Sequence, residues 1–377
     1  MGSEGTKGHR VLIAGGGIAA LETALALRDL AGDRVRIDLL APERYLTYRP
    51  LPVADALALR RPSRFDLEAI TRGAGIAHVF DRLATVDPAC RAALTRNGRA
   101  LGYDTLVLAT GARARATIEG ATTYSGTEDA RAIRALLRAA DTEAVRSVVF
   151  AIPAGAGWPL PAYELALLAA SRHAHNGGGV RVTVATHEGV PLTRFGARAS
   201  ARMAVLLHER CVQLSMGRQP AKLVDGGLQL APSGYLEADR VVALPAHEGR
   251  PLAGIPSDED GFIATDANGR VSEVQDVYAA GDATAFPVKH GVLASQQAHA
   301  VAASVAAEAG APIARRPFEP TLSELVLRPR TDRVPGPYLS ARLVPPRPRA
   351  APRPSTRSGR FSRHGAYARG SRHLSAR

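Results

Sequence analysis

The chain is poor in cysteine. Only two occur in its 377 residues, Cys90 and Cys211, and they form no CxxC or longer redox pair. Reduction of a disulfide by a protein dithiol needs two neighbouring thiols, so this scarcity excludes that chemistry. We expect both cysteines to be buried and inert, and no metal site is expected.

The chain also has no long apolar run. No stretch approaches the ~18 uninterrupted apolar residues of a membrane-spanning helix, and the polar start through His9 has no signal-peptide core. The sequence therefore predicts a cytoplasmic protein, whose membrane contact is limited to the periphery at the inner face. Apolar residues make up 46% of the chain, which is enough for cores in two or three domains.

Lysine is scarce, and the positive charge is unevenly placed. Residues 328–377 contain 13 arginines, no lysine and one acid, for a net charge of +12, whereas the first 327 residues carry +1. A basic charge confined to one tail does not make the folded surface basic. No nucleic-acid partner is therefore expected.

The segment 344–377 is rich in Arg, Pro, Ser and Gly and lacks apolar periodicity. This composition predicts a disordered tail. A solvated tail is favoured over one that binds anionic lipid or RNA. The same composition suggests the hypothesis of a shifted reading frame from near Leu343.

A strand, a glycine turn and a helix lie near the start of the chain. Residues 10–14 form a short apolar strand, and an amphipathic helix follows to about Leu30. Between them Gly15 permits a tight turn, Gly17 lets a pyrophosphate approach the backbone, and Ala20 allows close packing of the helix on the strand. This GxGxxA pattern predicts a dinucleotide site.

The ribose of such a dinucleotide needs an acid at the end of the next strand, residues 35–40. The usual acidic position falls near Ala41, with Asp38 inside the strand and Glu43 two residues beyond the slot. We prefer Glu43, because Asp38 is better placed to cap or pair at the strand surface.

Two later segments agree with a dinucleotide site. Residues 103–112 are an apolar run ending in the small turn Thr110-Gly111, suited to passing beside a cofactor. Residues 277–284 are a buried strand that delivers Gly281-Asp282, and a helix begins at Gly291. A carboxylate thus lies beside a cluster of backbone donors, which suits a flavin.

In this order and spacing, the three motifs resemble the FAD-dependent pyridine nucleotide-disulfide oxidoreductase superfamily. The branch most similar holds type II NADH dehydrogenases, sulfide:quinone reductases and flavocytochrome c sulfide dehydrogenase flavoproteins. The resemblance implies an α/β fold of two Rossmann-like domains, the second inserted in the first. The implied segments are an FAD domain at 8–112 and 258–310, a second nucleotide domain at 113–257, a C-terminal segment at 311–343 and the tail at 344–377.

The resemblance also assigns roles to residues. It places Gly15, Gly17 and Ala20 at the FAD pyrophosphate and Glu43 at the adenosine ribose. Arg49, in Tyr48-Arg49-Pro50, becomes a candidate pyrophosphate or ribityl contact, and Thr110-Gly111 lies on the flavin side. The remaining implied contacts are Gly281 and Asp282 at the ribityl or pyrophosphate oxygens and Gly291 and Val292 at the flavin.

The second nucleotide domain carries a weaker motif. A strand at 145–150 and a helix from Leu160 flank a turn with a GxG, yet Trp158, Pro159 and Pro161 follow it. Proline removes backbone donors and tryptophan fills volume, so a pyrophosphate would lose partners here. Glu188, after the next strand, is a candidate ribose acid. The residues therefore leave NAD(P)H binding open.

The positions of the cysteines leave direct electron transfer through the flavin as the expected chemistry. Sulfide oxidation in the resembling branch uses cysteines beyond the Thr110-Gly111 and Gly281-Asp282 turns, and this chain has none there. Lys289, one of three lysines, precedes the Gly291 helix and is the candidate catalytic residue, a cation for the reduced flavin.

Two classes of function stay open. The first is an oxidoreductase that passes electrons from NAD(P)H or another small reductant to a quinone or soluble acceptor. The second is a decayed or truncated FAD-binding protein. The sequence leaves the oligomeric state open.

Overall fold

A computed structural model describes residues 8–48, 53, 63–126, 129–142, 144–176, 180–325 and 338–342. The predictions for Arg49 and for the tail at 344–377 lie outside these ranges. All statements below concern the described residues.

Short strands make up much of the fold. In chain order they are β1 (His9–Ala14), β2 (Val35–Leu40), β3 (Tyr45–Tyr48), β4 (Ser63–Asp66), β5 (Ala77–Val79), β6 (Leu83–Asp87), β7 (Ala92–Thr95), β8 (Ala100–Gly102), β9 (Thr105–Leu108), β10 (Arg113–Arg115), β11 (Thr122–Thr123), β12 (Ser147–Ile152), β13 (Arg181–Thr186), β14 (Gln213–Ser215), β15 (Gln219–Val224), β16 (Gly227–Ala231), β17 (Tyr235–Glu237), β18 (Arg240–Ala243), β19 (Ala246–Glu248), β20 (Val277–Ala279), β21 (Thr321–Leu325) and β22 (Tyr338–Arg342).

The helices lie between these strands. They are α1 (Ile18–Ala31), α2 (Leu67–Gly73), α3 (Ala130–Asp141), α4 (Leu160–Asn176), α5 (Gly196–Glu209) and α6 (Gly291–Glu308), with single 3-10 turns at Gly32–Arg34, Thr193–Phe195 and Gly281–Ala283.

The first parallel sheet has the strand order β20-β9-β1-β2-β5. Residues 11–14 of its central strand, β1, are all apolar and buried, as expected for a strand covered on both faces. Ala14 at the end of β1 pairs with Leu40 and with Leu108, and Leu108 pairs with Ala279. The carboxyl ends of four strands therefore meet at one edge, where ligands of open parallel sheets bind.

The second parallel sheet has the order β11-β18-β12-β13-β14. All of its strands come from between β9 and β20, so the chain leaves the first sheet, builds the second and returns. Helices α3, α4 and α5 bury their apolar faces in one core with β12 and β13. The predicted α/β class with two Rossmann-like sheets is confirmed, while the exact domain boundaries stay predictions.

Three-stranded antiparallel sheets, β6-β7-β8 and β15-β16-β17, accompany the two parallel ones. Within the described ranges, no helix has the length and apolar character to cross a bilayer. Cys90 and Cys211 are both exposed, so the expectation that they are buried is wrong. Each lies at or beside a turn. Turns run over the protein surface, so their position determines the exposure of these thiols.

Candidate functional site

The turn between β1 and α1 requires glycine at its first position. Gly15 has φ +138°, and a Cβ there would come within 2.1 Å of the carbonyl oxygen of Ala109. Its N–H donates to the carbonyl of Leu40 at 2.9 Å. Gly15 therefore packs the turn against two neighbouring strands, which is the role that the sequence predicts for it.

Gly17 has the opposite surroundings. It is the N-cap of α1 in an extended conformation (φ −91°, ψ −174°), and no side chain caps the helix. Among the residues that the structure describes, none lies within 4 Å of a Cβ built on Gly17, and the first turn of α1 carries no acid. The first N–H groups of a helix lack intrahelical partners, so this open space faces the positive end of a helix and suits an anion.

Ala20 and Glu43 are the two other residues near the first glycine turn that the sequence analysis singles out. Ala20 is fully buried in the core that joins α1 to β1. The Glu43 carboxylate reaches the glycine turn, because a Cβ on Gly16 would lie 2.5 Å from its Oε2 atom. Asp38 instead sits within β2 and pairs in register with Leu12 and Ala77. This geometry favours Glu43 as the ribose acid, and that role stays a prediction.

The end of β9 adds a second open glycine. Gly111 has φ +70°, and nothing lies within 4 Å of a Cβ built there. The Ala109 N–H just before it donates to the carbonyl of Ala14 at 2.8 Å, which holds this turn beside the one after β1. Thr110 and Gly111 thus lie beside the same edge of the sheet as Gly15.

Gly281 and Asp282 form a 3-10 turn directly after β20. Gly281 has φ +74°, and a Cβ there would be 2.7 Å from the Cβ of Ala19 in α1. Its N–H donates to Oε1 of the buried Gln297 at 2.7 Å, and Gln297 Nε2 donates to Thr284 Oγ1 at 3.2 Å. The Gln297 side chain therefore orders the turn that carries Asp282.

The start of α6 is capped, in contrast to that of α1. His290 is buried, and its Nδ1 accepts the N–H of Val292 at 3.2 Å. A Cβ on Gly291 would have nothing within 4 Å, so the first residue of α6 faces open space. The His290 ring packs against Trp158 at a tilt of 51°, with centroids 4.4 Å apart, and Trp158 also contacts Phe195, with centroids 5.4 Å apart. The sequence analysis did not predict this cap.

Lys289 is buried between the two sheets. Its Nζ donates to the carbonyl of Thr284 at 2.6 Å and lies 3.7 Å from the ring centroid of Phe262. Burial lowers the pKa of Lys289 to about 8, against the opposing effect of the carboxylates Asp282 and Asp258. The ammonium is therefore held by a carbonyl, an aromatic face and two more distant negative charges.

A pocket of about 210 Å³ lies beside Lys289. One wall is formed by residues after the carboxyl ends of β12 and β13, among them Gly157 and Glu188, and the other by the loops that carry Phe262 and Phe286. His247 also lines it, and burial lowers the pKa of that imidazole, with Asp282 opposing. At neutral pH we therefore expect His247 to be uncharged.

The second glycine turn differs from the first. Seven residues separate β12 from α4, compared with three between β1 and α1. A Cβ on Gly157 would lie 2.6 Å from Lys289 Cγ, so the space that is open over Gly17 is filled over Gly157. Glu188 Oε2 accepts the hydroxyl of Tyr163 at 3.0 Å, and its Oε1 accepts the Thr193 N–H at 3.0 Å.

The residues of the first edge fit FAD. Two glycines open to empty space, an uncapped helix start suits a pyrophosphate, and a carboxylate lies at the end of β2. Asp282 follows the adjacent strand and lies near the start of α6, which supplies a second positive helix end.

The comparisons with known proteins agree with this fold. The family model described as pyridine nucleotide-disulphide oxidoreductase matches residues 9–307. The chain belongs to this family. A sulfide-quinone reductase of Aquifex aeolicus (strain VF5) is 28% identical over 164 residues, which are 42% of this chain and 38% of that relative's length.

Solved structures show the same fold. The sulfide:quinone oxidoreductase of the hyperthermophilic bacterium Aquifex aeolicus has a TM-score of 0.71 at 20% identity, covering 84% of this chain and 80% of its own. The ferredoxin reductase for the CYP199A2 system of Rhodopseudomonas palustris gives 0.61 at 23% identity, covering 83% and 79%. The NAD-dependent persulfide reductase of A. fulgidus gives 0.60 at 21%, covering 83% and 62%.

Proposed function

We propose that FAD binds along the carboxyl edge of the first sheet. The pyrophosphate lies over Gly17 and the N-terminus of α1, with Glu43 at the ribose and Arg49 as a further contact. Thr110, Gly111, Asp282 and the first residues of α6 surround the flavin side. The observation that carries this proposal is the open, uncapped start of α1 beside Gly17.

Bound FAD supplies two-electron chemistry, taking an electron pair from a reductant and returning it to an acceptor. The chain's own residues bind the cofactor and supply positive charge near its pyrimidine end. In this proposal the N-terminus of α6 and Lys289 provide that charge. His290 orients the first turn of α6 by accepting the Val292 N–H.

We infer that the reductant binds in the pocket between the two sheets, since this pocket adjoins Lys289 and the loop before α6. The acceptor in this proposal is a quinone or a soluble molecule, as the name of the Aquifex relative suggests for quinone. The location of the protein in the cytoplasm remains a prediction.

The first test is the cofactor itself. The purified protein should be yellow, and denaturation should release unmodified FAD, because no covalent linkage motif is evident in the sequence. Anaerobic stopped-flow mixing with NADH, NADPH and sulfide, followed by a soluble quinone analogue, then identifies the donor and acceptor. A colourless protein that takes up no FAD would overturn the proposal, whereas FAD that no donor reduces would favour a non-catalytic flavoprotein.

The midpoint potential of the flavin tests the role of Lys289. A positive charge near the flavin stabilises the reduced anion more than the neutral oxidised ring, so Lys289→Met should lower the flavin midpoint potential while FAD stays bound. An interaction of about 1 to 2 kcal/mol corresponds to a few tens of millivolts for a two-electron couple. Redox titration measures this shift, with the exposed Lys222→Met as the matched control. An unchanged potential would remove Lys289 from the flavin site.

A further inference from the structure

The second sheet has the strand pattern of a nucleotide domain, and its ligand crevice lies at the carboxyl ends of β12, β13 and β18. In such a crevice a dinucleotide places its pyrophosphate at the glycine turn before the first helix and its ribose at the acid after the next strand. Both places can be compared with the first sheet of the same chain.

The pyrophosphate position is filled from the other sheet. The space over Gly157 holds Cγ and Cβ of Lys289, at 2.6 and 3.0 Å from a Cβ built there, and His247 Nδ1 borders it at 3.1 Å. The Lys289 N–H also donates to the carbonyl of Gly157 at 3.1 Å. The far end of the side chain is fixed on Thr284 and Phe262, so the methylene chain cannot leave without breaking these contacts.

The candidate ribose acid, Glu188, is also already hydrogen-bonded within the protein. Both carboxylate oxygens of Glu188 already accept hydrogen bonds inside the fold, from Tyr163 and from Thr193. Glu188 and Tyr163 are buried, at 8% and 0% exposure. A ribose diol would therefore have to use the remaining lone pairs of a buried carboxylate that already accepts two hydrogen bonds.

The helix after the turn offers few donors. Pro161 stands in the first turn of α4 and has no N–H, and the Ala162 N–H donates to the carbonyl of Pro159 at 3.2 Å. In α1 no proline interrupts the first turn. An anionic pyrophosphate therefore finds weaker support at the start of α4 than at the start of α1.

The space that remains is small. The pocket of about 210 Å³ lies below the roughly 300 to 1,000 Å³ of drug-sized ligand sites, while a cavity of about 150 Å³ already holds benzene. It has room for a molecule of about one ring. It is lined by both apolar and polar side chains, among them Pro159, Phe262, Arg194 and Asp260.

We propose that Lys289 is a specificity-determining residue, whose methylene chain closes the second nucleotide fold to NAD(P)H and leaves a pocket for a reductant of about one-ring size. This inference rests on the proposed function, because it concerns the donor side of the same oxidoreductase. Lys289 belongs to the loop before α6, so a residue of the first sheet's half decides what the second sheet's crevice admits.

Dinucleotide binding to the FAD-loaded protein tests the inference. Isothermal titration with NAD⁺ and with NADP⁺ should give no binding in the wild type and in the control Lys222→Ala, which alters an exposed lysine. Lys289→Ala should bind at least one of them at least tenfold more tightly than the weakest binding that the titration detects, because the side-chain atoms from Cγ outward no longer fill the space over Gly157. Lys289→Ser, which keeps a polar group near Thr284, is the second variant should the alanine protein not fold.

Micromolar binding of either dinucleotide to the wild type would overturn the inference, and so would a lack of any gain in a folded, yellow Lys289 variant. Both outcomes leave bound FAD untouched. They are therefore distinct from failure of the proposed function, which would appear as a wild-type protein without FAD.

Discussion

Replacement of Gly17 with alanine is expected to weaken FAD binding by roughly ten- to a hundredfold, which corresponds to about 1.4 to 2.8 kcal/mol. The backbone angles of Gly17 suit any residue, and a Cβ there meets no atom of the described residues within 4 Å. The added methyl would instead enter the space that the pyrophosphate needs. Fluorescence titration of the apoprotein with FAD measures the affinity directly.

Gly73→Ala is the matched control. Gly73 ends α2, and a Cβ on it also has nothing within 4 Å, yet it lies away from the glycine turn. This variant should bind FAD as the wild type does and unfold at the same or a slightly higher temperature. Equal FAD affinity in Gly17→Ala and Gly73→Ala would contradict the cofactor position proposed here.

A pH dependence of stability should arise from Lys289. Its pKa is lowered in the folded protein to about 8, from 10.5, so between these values the unfolded chain binds more protons than the folded one. The free energy of unfolding therefore gains from this group as pH rises from about 8 to about 10.5, and the penalty is fully present below that window. The gain is roughly 3 kcal/mol.

Denaturant unfolding of wild type and Lys289→Met across pH 7 to 11 isolates this contribution. The difference in unfolding free energy should shift in favour of the wild type through the window, because methionine has no proton to release. Lys222→Met should follow the wild-type curve. Parallel curves for the wild type and Lys289→Met would mean that the ammonium is solvated and not buried.

The sequence was sufficient for the local elements of the first sheet. The strand predicted at 35–40 is β2, and the helices predicted from the glycine turn and from Gly291 begin at Ile18 and Gly291. These succeed because glycine positions and apolar periodicity act within a few residues of each other. The choice of Glu43 over Asp38 also follows from local reach around one turn.

The contacts between the sheets could not be predicted in the same way. The Lys289 side chain over Gly157 and the hydrogen bond from Tyr163 to Glu188 join residues far apart in the sequence. The sequence around a single lysine or glutamate does not indicate which distant residue its side chain contacts. The prediction that Cys90 and Cys211 are buried was wrong because each cysteine lies at or beside a turn on the surface. Cysteine is usually buried, but the position of a turn overrides that preference.

Trp158 is the only tryptophan of the chain, and it lies between His290 and Phe195 at the junction of the two sheets. All indole fluorescence of this protein therefore arises from one position, beside the N-cap of α6, the helix that faces the proposed flavin. Its emission would report cofactor loading, through energy transfer to the yellow chromophore, and the arrival of a reductant in the neighbouring pocket. The protein thus carries an intrinsic optical probe of its own junction, with no label to attach.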